Sequence, residues 1–262
     1  MTAVADLLAA YDSQLRGVPA VLPAGEHAEA DGPLIRVVGG HRGYVTGPRD
    51  LRGSALDALI ARQRDFFAAR GEEVEWKTRA HDLPEDLPSR LLAAGFLPEE
   101  RETVLIGIAA DLAADPVLGE GITVRRTADP DDLRRIAVML SQVWEKDLTW
   151  MGEDLIRRAA GGNAVYVAES GGEIVSAARI DLGEGSDFAG LWGGSTLKAW
   201  RGKGIYKALV AVRAQLAVAQ GLRYLQVDAS EDSRPILERL GFVAVTTTTP
   251  YVWSPAGRVS AE

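Results

Sequence analysis

Apolar residues recur at helical spacing in long windows along the chain. Residues 1–15 carry Val4, Leu7, Leu8, Tyr11 and Leu15, and residues 49–70 carry Leu56, Leu59, Ile60, Phe66 and Phe67 before Gly71 ends the pattern. Asp129-Pro130, an N-cap followed by proline at the first helical position, opens a window with Leu133, Ile136, Ala137, Leu140, Val143 and Trp144. Ile205, Ala208, Leu209, Val212, Leu216 and Ala219 form another, stopped by Gly221. Shorter helices are predicted at 89–94, at 153–160 and just before Gly241-Phe242. Apolar runs predict strands at 34–38, 43–46, 73–78, 103–108, 122–125, 164–169, 174–181, 188–196 and 224–228, and residues 17–32, rich in glycine, proline and alanine, read as loop with at most one short strand. The expected class is α/β (α+β).

The two halves share this rhythm. Gly71 before a strand matches Gly221 before a strand, 150 residues on, and Gly95-Phe96 after a short helix matches Gly241-Phe242, 146 residues on. Order-preserving similarity of this kind points to a duplicated unit. With 262 residues and 47% hydrophobic composition the chain can build two cores. The expected division is a first domain over 1–115, a linker over 116–121 that includes Pro116 and two glycines, and a second domain over 122–262.

Charge and composition exclude several functions. A formal net charge of −8 argues against phosphate-backbone binding, so no nucleic-acid partner is expected. The chain has no cysteine, and its histidines, His27, His41 and His81, lack ligand spacing, so no metal is expected. The start of the chain carries Asp6 and Asp12 without a cationic segment, and no uncharged run reaches the roughly 20 residues that span a bilayer. A cytoplasmic protein without a membrane partner is expected.

Against that acidic background one local cationic stretch stands out. Arg201-Gly202-Lys203-Gly204 leads directly into the helix at Ile205, with Lys207 in its first turn. A helix start presents unpaired N–H groups and partial positive charge, and flanking glycines let a phosphate approach them. Neither a Walker loop nor a dinucleotide fingerprint fits, because no Ser/Thr follows Gly202-Lys203 and no third glycine stands at Lys207. Immediately upstream, Gly193-Gly194 interrupts an apolar strand, as at a bulge or a close backbone approach.

The order of elements over 122–253, Arg201-x-x-Gly204 at the helix start and Leu240-Gly241-Phe242 together resemble the GNAT superfamily of acyl-CoA-dependent N-acetyltransferases. The resemblance implies two GNAT-like domains, each a mixed, mostly antiparallel sheet flanked by helices. It also implies acetyl-CoA as cosubstrate: Gly194 and Thr196 would contact the pantetheine arm through the main chain, Arg201, Gly202, Lys203, Gly204, Ile205 and Tyr206 would hold the pyrophosphate, and Ser230 stands where the family often has asparagine. Lys207 adds a cation to the same loop. The first half lacks the loop, so it reads as a degenerate unit, a plan similar to that of mycothiol synthases.

The implied reaction is direct transfer of an acetyl group to a primary amine of a small molecule or peptide. An amine with a pKa near 10.4 must lose its proton at a cost of about 4 to 5 kcal/mol at neutral pH, so a carboxylate is expected near it. Glu145 and Asp228 are the chosen candidates, with Asp147 and Asp187 also available. The family's usual tyrosine acid is replaced by Leu237, which leaves Tyr206 as an alternative acid. The segment 144–153, with Trp144 and Trp150, falls where the family places its acceptor loop. Two other readings stay open: a noncatalytic acyl-CoA-binding or interaction module, and an enzyme using a longer acyl or aminoacyl donor. Oligomeric state is not encoded in any feature above.

Overall fold

The computed structural model describes residues 3–19, 22–183 and 185–255. The first half contains α1 (Val4–Gln14), β1 (His27–Asp31), β2 (Leu34–Val38), β3 (Gly43–Thr46), α2 (Leu56–Arg70), β4 (Val74–Arg79), α3 (Leu87–Ala93), β5 (Leu97–Pro98), β6 (Glu102–Ile108) and α4 (Ala109–Leu112). The second contains β7 (Ile122–Thr127), α5 (Pro130–Trp144), α6 (Met151–Ala160), β8 (Ala164–Ser170), β9 (Glu173–Leu182), β10 (Phe188–Thr196), α7 (Ile205–Ala219), β11 (Tyr224–Ala229), α8 (Arg234–Leu240) and β12 (Val243–Trp253).

Most elements stand where the hydrophobic pattern puts them. The helix expected over 49–70 begins only at Leu56, because Arg49 and Leu51 spend their main-chain groups on Leu83, at 2.8 Å each. Residues 17–32 include β1, and a helical turn, α4, follows β6 before the connection to β7.

All strands join one mixed, mostly antiparallel sheet in the order β1-β2-β3-β4-β12-β6-β11-β10-β9-β8-β7, with β5 on β12. The parallel pairs are β3 with β4 and β10 with β11. The two halves exchange their last strands. β6 lies between β11 and β12, pairing Tyr224 with Ile108 and Val243 with Ile106, while β12 runs on to pair Thr248–Trp253 with β4. The sheet therefore crosses the expected boundary at 116–121 without interruption.

Strand alternation sorts the side chains onto two faces. On one face, Leu105, Ile180, Leu191 and Leu225 pack with α7 and α8, and Val45, Val74 and Trp76 pack with α2 and α3. On the other, Val104, Ile106, Phe188 and Tyr224 pack with Leu7 and Tyr11 of α1, and Val165, Val167 and Ala177 pack with α5 and α6. α1 ties the halves together. Arg16 donates to Asp82 at 2.7 Å and His81 pairs with Asp12 at 2.9 Å, while Gln14 donates to Asp187 at 3.0 Å.

Candidate acyl-transfer site

β10 and β11 pair over only three residues, Phe188–Gly190 with Tyr224–Gln226, and then separate. β10 bulges between Trp192 and Ser195, with Gly193 at φ 62°. A Cβ on Gly194 would stand 2.9 Å from Cε2 of Tyr206, so only glycine lets β10 pass that ring. The strand end is pinned by Ser176, whose Oγ donates to Ser195 O at 2.7 Å and lies 2.8 Å from Thr196 Oγ1. The splay leaves a gap through the sheet flanked by Trp192 on one side and Asp228 on the other.

α7 starts beside that gap. Its N-cap is Gly204 at φ 79°, which offers no side-chain cap, so the first-turn N–H groups have no acceptor within the helix. Ile205, 1% exposed, anchors the start in the core while Arg201, Gly202, Lys203 and Lys207 remain exposed around it. Lys203 Nζ sits 4.3 Å from the Trp200 ring, and Arg201 Nε donates to Thr196 O at 3.2 Å. The result is an open, cationic helix terminus on the α7 side of the splay. Ser230 lies beyond β11, its carbonyl accepting from Arg234 N at 2.9 Å to turn the chain into α8.

The opposite face carries a cavity of about 190 Å³ between the two halves, closed on one side by α1. Asp228 and Trp192 reach it from the splay, and Tyr44, Lys77 and Arg79 reach it from β3 and β4. Lys77 Nζ donates to Asp228 Oδ2 at 2.6 Å, and Gln226 Nε2 donates to Oδ1 at 2.7 Å. Burial, the largest single influence, opposes the charge on Lys77, but Asp228, Glu75 and Tyr44 together outweigh it and keep the ammonium protonated. Glu102 lies 4.0 Å from Lys77 Nζ; burial pushes its carboxyl up to about 7, against the pull of Lys77. Burial likewise raises Glu75 on β4 and Asp181 on β9, the latter accepting from Asn163.

Of the sequence-derived candidates, Asp228 alone among the acids lines this cavity. Glu145 is the exposed C-cap of α5 at φ 54°. Asp147 accepts from Thr149, Asp187 accepts from Gln14, and Trp150 stacks on His41 at 4.1 Å. Tyr206 packs under Gly194, and burial raises its hydroxyl pKa. Leu237, 0% exposed, belongs to the core. Lys77, Arg79, Tyr44 and Glu102 were not found from sequence. The one available signal was the alternation of Glu75, Lys77 and Arg79 on a strand whose other face carries Val74, Trp76 and Thr78.

Helix starts also correct the comparison of the halves. Leu56 and Ile205 stand 149 residues apart, so Arg52 and Gly53 fall opposite Arg201 and Gly202, and Ala55 opposite Gly204. In this register the first half has an arginine at the leading position and, of the two glycines, lacks only the second. That arginine is turned onto its own loop, Arg52 Nη2 to Asp50 Oδ2 at 2.6 Å, and its hydrogen bonds hold the Asp50 carboxyl near 2.

The splayed parallel pair beside an uncapped, cationic helix start belongs to an α/β fold that matches solved GNAT structures. Residues 132–252 match the family model described as an acetyltransferase (GNAT) domain. Among solved structures, a GCN5-related N-acetyltransferase from Kribbella flavida is similar at 17% identity and TM-score 0.70, covering 99% of this chain and 98% of its own. A tandem GNAT protein from the clavulanic acid biosynthesis pathway is similar at 15% identity and TM-score 0.62, covering 98% and 96%. A GCN5-related N-acetyltransferase from Sphaerobacter thermophilus is similar at 16% identity and TM-score 0.59, covering 89% and 85%. No curated protein matches the chain. Among the described residues no helix is long and apolar enough to cross a membrane, and no cluster of three metal-ligating side chains occurs.

Proposed function

We propose that this protein is a cytoplasmic acyl-CoA-dependent N-acyltransferase that moves an acetyl group from acetyl-CoA to a primary amine by direct transfer. The observation that carries the reading is the glycine-led, uncapped start of α7 beside the β10–β11 splay. The residues there fit the donor. Gly202 has open space where a Cβ would stand, the first-turn N–H groups face outward, and Arg201, Lys203 and Lys207 supply positive charge for a pyrophosphate. Acetyl-CoA supplies the activated acyl group as a thioester. Gly194 and Thr196, at the bulged strand end, would present main-chain groups to the pantetheine arm; Arg201 gives up its bond to the Thr196 carbonyl for a phosphate.

Asp228 and Trp192 flank the far mouth of the gap, so an amine in the α1-side cavity would meet the thioester through the splay. Asp228 would orient that amine and draw off its proton. Gln226 and Lys77 already fix both carboxylate oxygens, leaving the remaining lone pairs for the acceptor. The first half, residues 1–115, contributes one wall of the acceptor cavity, and residues 122–262 carry the donor site. Calorimetric titration with acetyl-CoA, followed by thiol-release assays over a panel of primary amines, tests the proposal. Absence of acetyl-CoA binding removes it, and binding without release over the whole panel leaves a noncatalytic binding protein instead.

A further inference from the structure

Arg79 is a buried cation without a carboxylate. Its residue is 5% exposed, and its side chain lines the cavity. Nε donates to Tyr11 Oη at 3.2 Å, and Nη1 donates to Thr46 Oγ1 and Lys77 O at 3.2 Å each. Among the described residues Nη2 has no hydrogen bond, and Arg79 takes part in no ion pair. The nearest acid, Asp82, is committed elsewhere: Oδ1 accepts from Arg16 at 2.7 Å and Oδ2 from the Arg79 main-chain N–H at 2.7 Å.

The other charges of the cavity are matched. Asp228 has Lys77 at 2.6 Å, and Asp181 has Asn163 with Arg179 at 3.7 Å. Among the charged lining residues Arg79 is thus the one without an ion-pair partner, its guanidinium held among three neutral oxygens. A guanidinium removed from water without a counter-charge is costly, and a planar donor fork is suited to a carboxylate or phosphate. Arg79 and Lys77 are separated by one strand repeat, about 7 Å, on the same face of β4. An anion on Arg79 would therefore lie a few bonds from the Lys77–Asp228 pair at the mouth of the splay.

We infer that the acceptor is an anionic primary amine, its carboxylate or phosphate paired with Arg79 and its amine directed to Asp228 at the splay. This rests on the reading of the cavity as the acceptor site. The anionic group selects the substrate, and the Tyr11 and Thr46 oxygens hold the guanidinium in place to meet it. The acceptor class is then short amino acids or phosphorylated amino alcohols rather than hydrocarbon amines or polyamines.

The test measures kcat/KM with acetyl-CoA for ω-amino acids against their methyl esters, and for phosphoethanolamine against ethanolamine, in the wild-type protein, Arg79→Gln and Arg79→Lys. Binding of the same amines is measured by calorimetry without acetyl-CoA. The wild type should favour the anionic member of at least one pair by about tenfold or more, the two pairs distinguishing carboxylate from phosphate. That ratio should collapse in Arg79→Gln and survive in part in Arg79→Lys, each variant first checked for cooperative unfolding. Equal use of both members of each pair, or an anionic preference unchanged in Arg79→Gln, overturns the inference. If no amine is acetylated, the proposed activity fails, and the calorimetry decides the inference alone. Anion-dependent binding lost in Arg79→Gln supports it; no such binding in the wild type, or binding unchanged by the substitution, overturns it.

Discussion

Lys77 on β4 donates to Asp228 on β11 at 2.6 Å, although β12 and β6 lie between their strands. Three strand spacings amount to about 14 Å in a flat sheet, so the contact requires the sheet to be concave toward α1. The exchanged strands form the floor of that concavity. Both partners are nearly buried, with side chains 10% and 6% exposed. Removing one leaves the other charged and unpaired. Lys77→Met should cost about 3 to 5 kcal/mol in urea unfolding at pH 7. The double change Lys77→Met with Asp228→Asn should cost clearly less than Lys77→Met alone; equal or larger loss in the double variant would show that the pair is not coupled.

Gly204 holds φ 79° at the start of α7, and a Cβ there would approach Val117 O to 3.3 Å. Gly204→Ala should lower stability by about 1 to 2 kcal/mol from the left-handed conformation alone. It should also weaken acetyl-CoA binding at least tenfold, because the helix start can no longer keep its N–H groups in line. A Kd within twofold of wild type would place the phosphate site elsewhere.

Glu102 gives a pH signature. Its folded carboxyl is raised to about 7 from an ordinary 4.5, mainly by burial. The folded state therefore binds more protons than the unfolded chain between those values, and this group's contribution to stability falls as pH rises from about 4.5 to 7. Above pH 7 the charged form is a standing cost, about 1 kcal/mol after allowing for its partly exposed side chain. Glu102→Gln should raise the melting temperature at pH 8 and do little at pH 5. The opposite pattern would mean that Lys77 dominates over burial.

Leu237, at the position where the GNAT resemblance implies a tyrosine acid, is fully buried among the α7 and α8 core residues. Leu237→Tyr should not install a proton donor at the site. Overpacking should cost about 1 to 3 kcal/mol, with kcat no higher than wild type. A gain in kcat would mean that the position faces the donor after all.

Contiguity decides what the sequence makes legible. The loop from Arg201 to Lys207 combines charge, glycine and helix start within seven residues, so its chemistry was legible as a string. The bulge at Gly193-Gly194 was legible for the same reason. Lys77, Arg79 and Glu102 were not, because their meaning depends on β12 and β6 exchanging places, and a strand's own sequence does not name its neighbour. Glu145 and Trp150 show the converse. Their segment carries suggestive residue types, but α5 ends with Glu145 exposed and Trp150 meets His41 instead of the cavity. The similarity of the halves was visible, but its register came from where α2 begins, which is set by the pairing of Arg49 and Leu51 with Leu83.

The exchange of last strands has a consequence for synthesis. β6 ends at Ile108, but one of its flanking strands is β11 and the other is β12, the final strand of the sheet. β4, complete at Arg79, also waits for β12. As the chain leaves the ribosome, the first half cannot finish its sheet and then stand by as a completed domain while the second is made. Its unpaired edges stay open until Val243–Trp253 emerges, and that last strand closes both halves at once. A translation product truncated before Val243 would thus be two incomplete sheets, with the β12 half of the concave floor under Lys77 and Asp228 missing, rather than one finished domain and one unfinished.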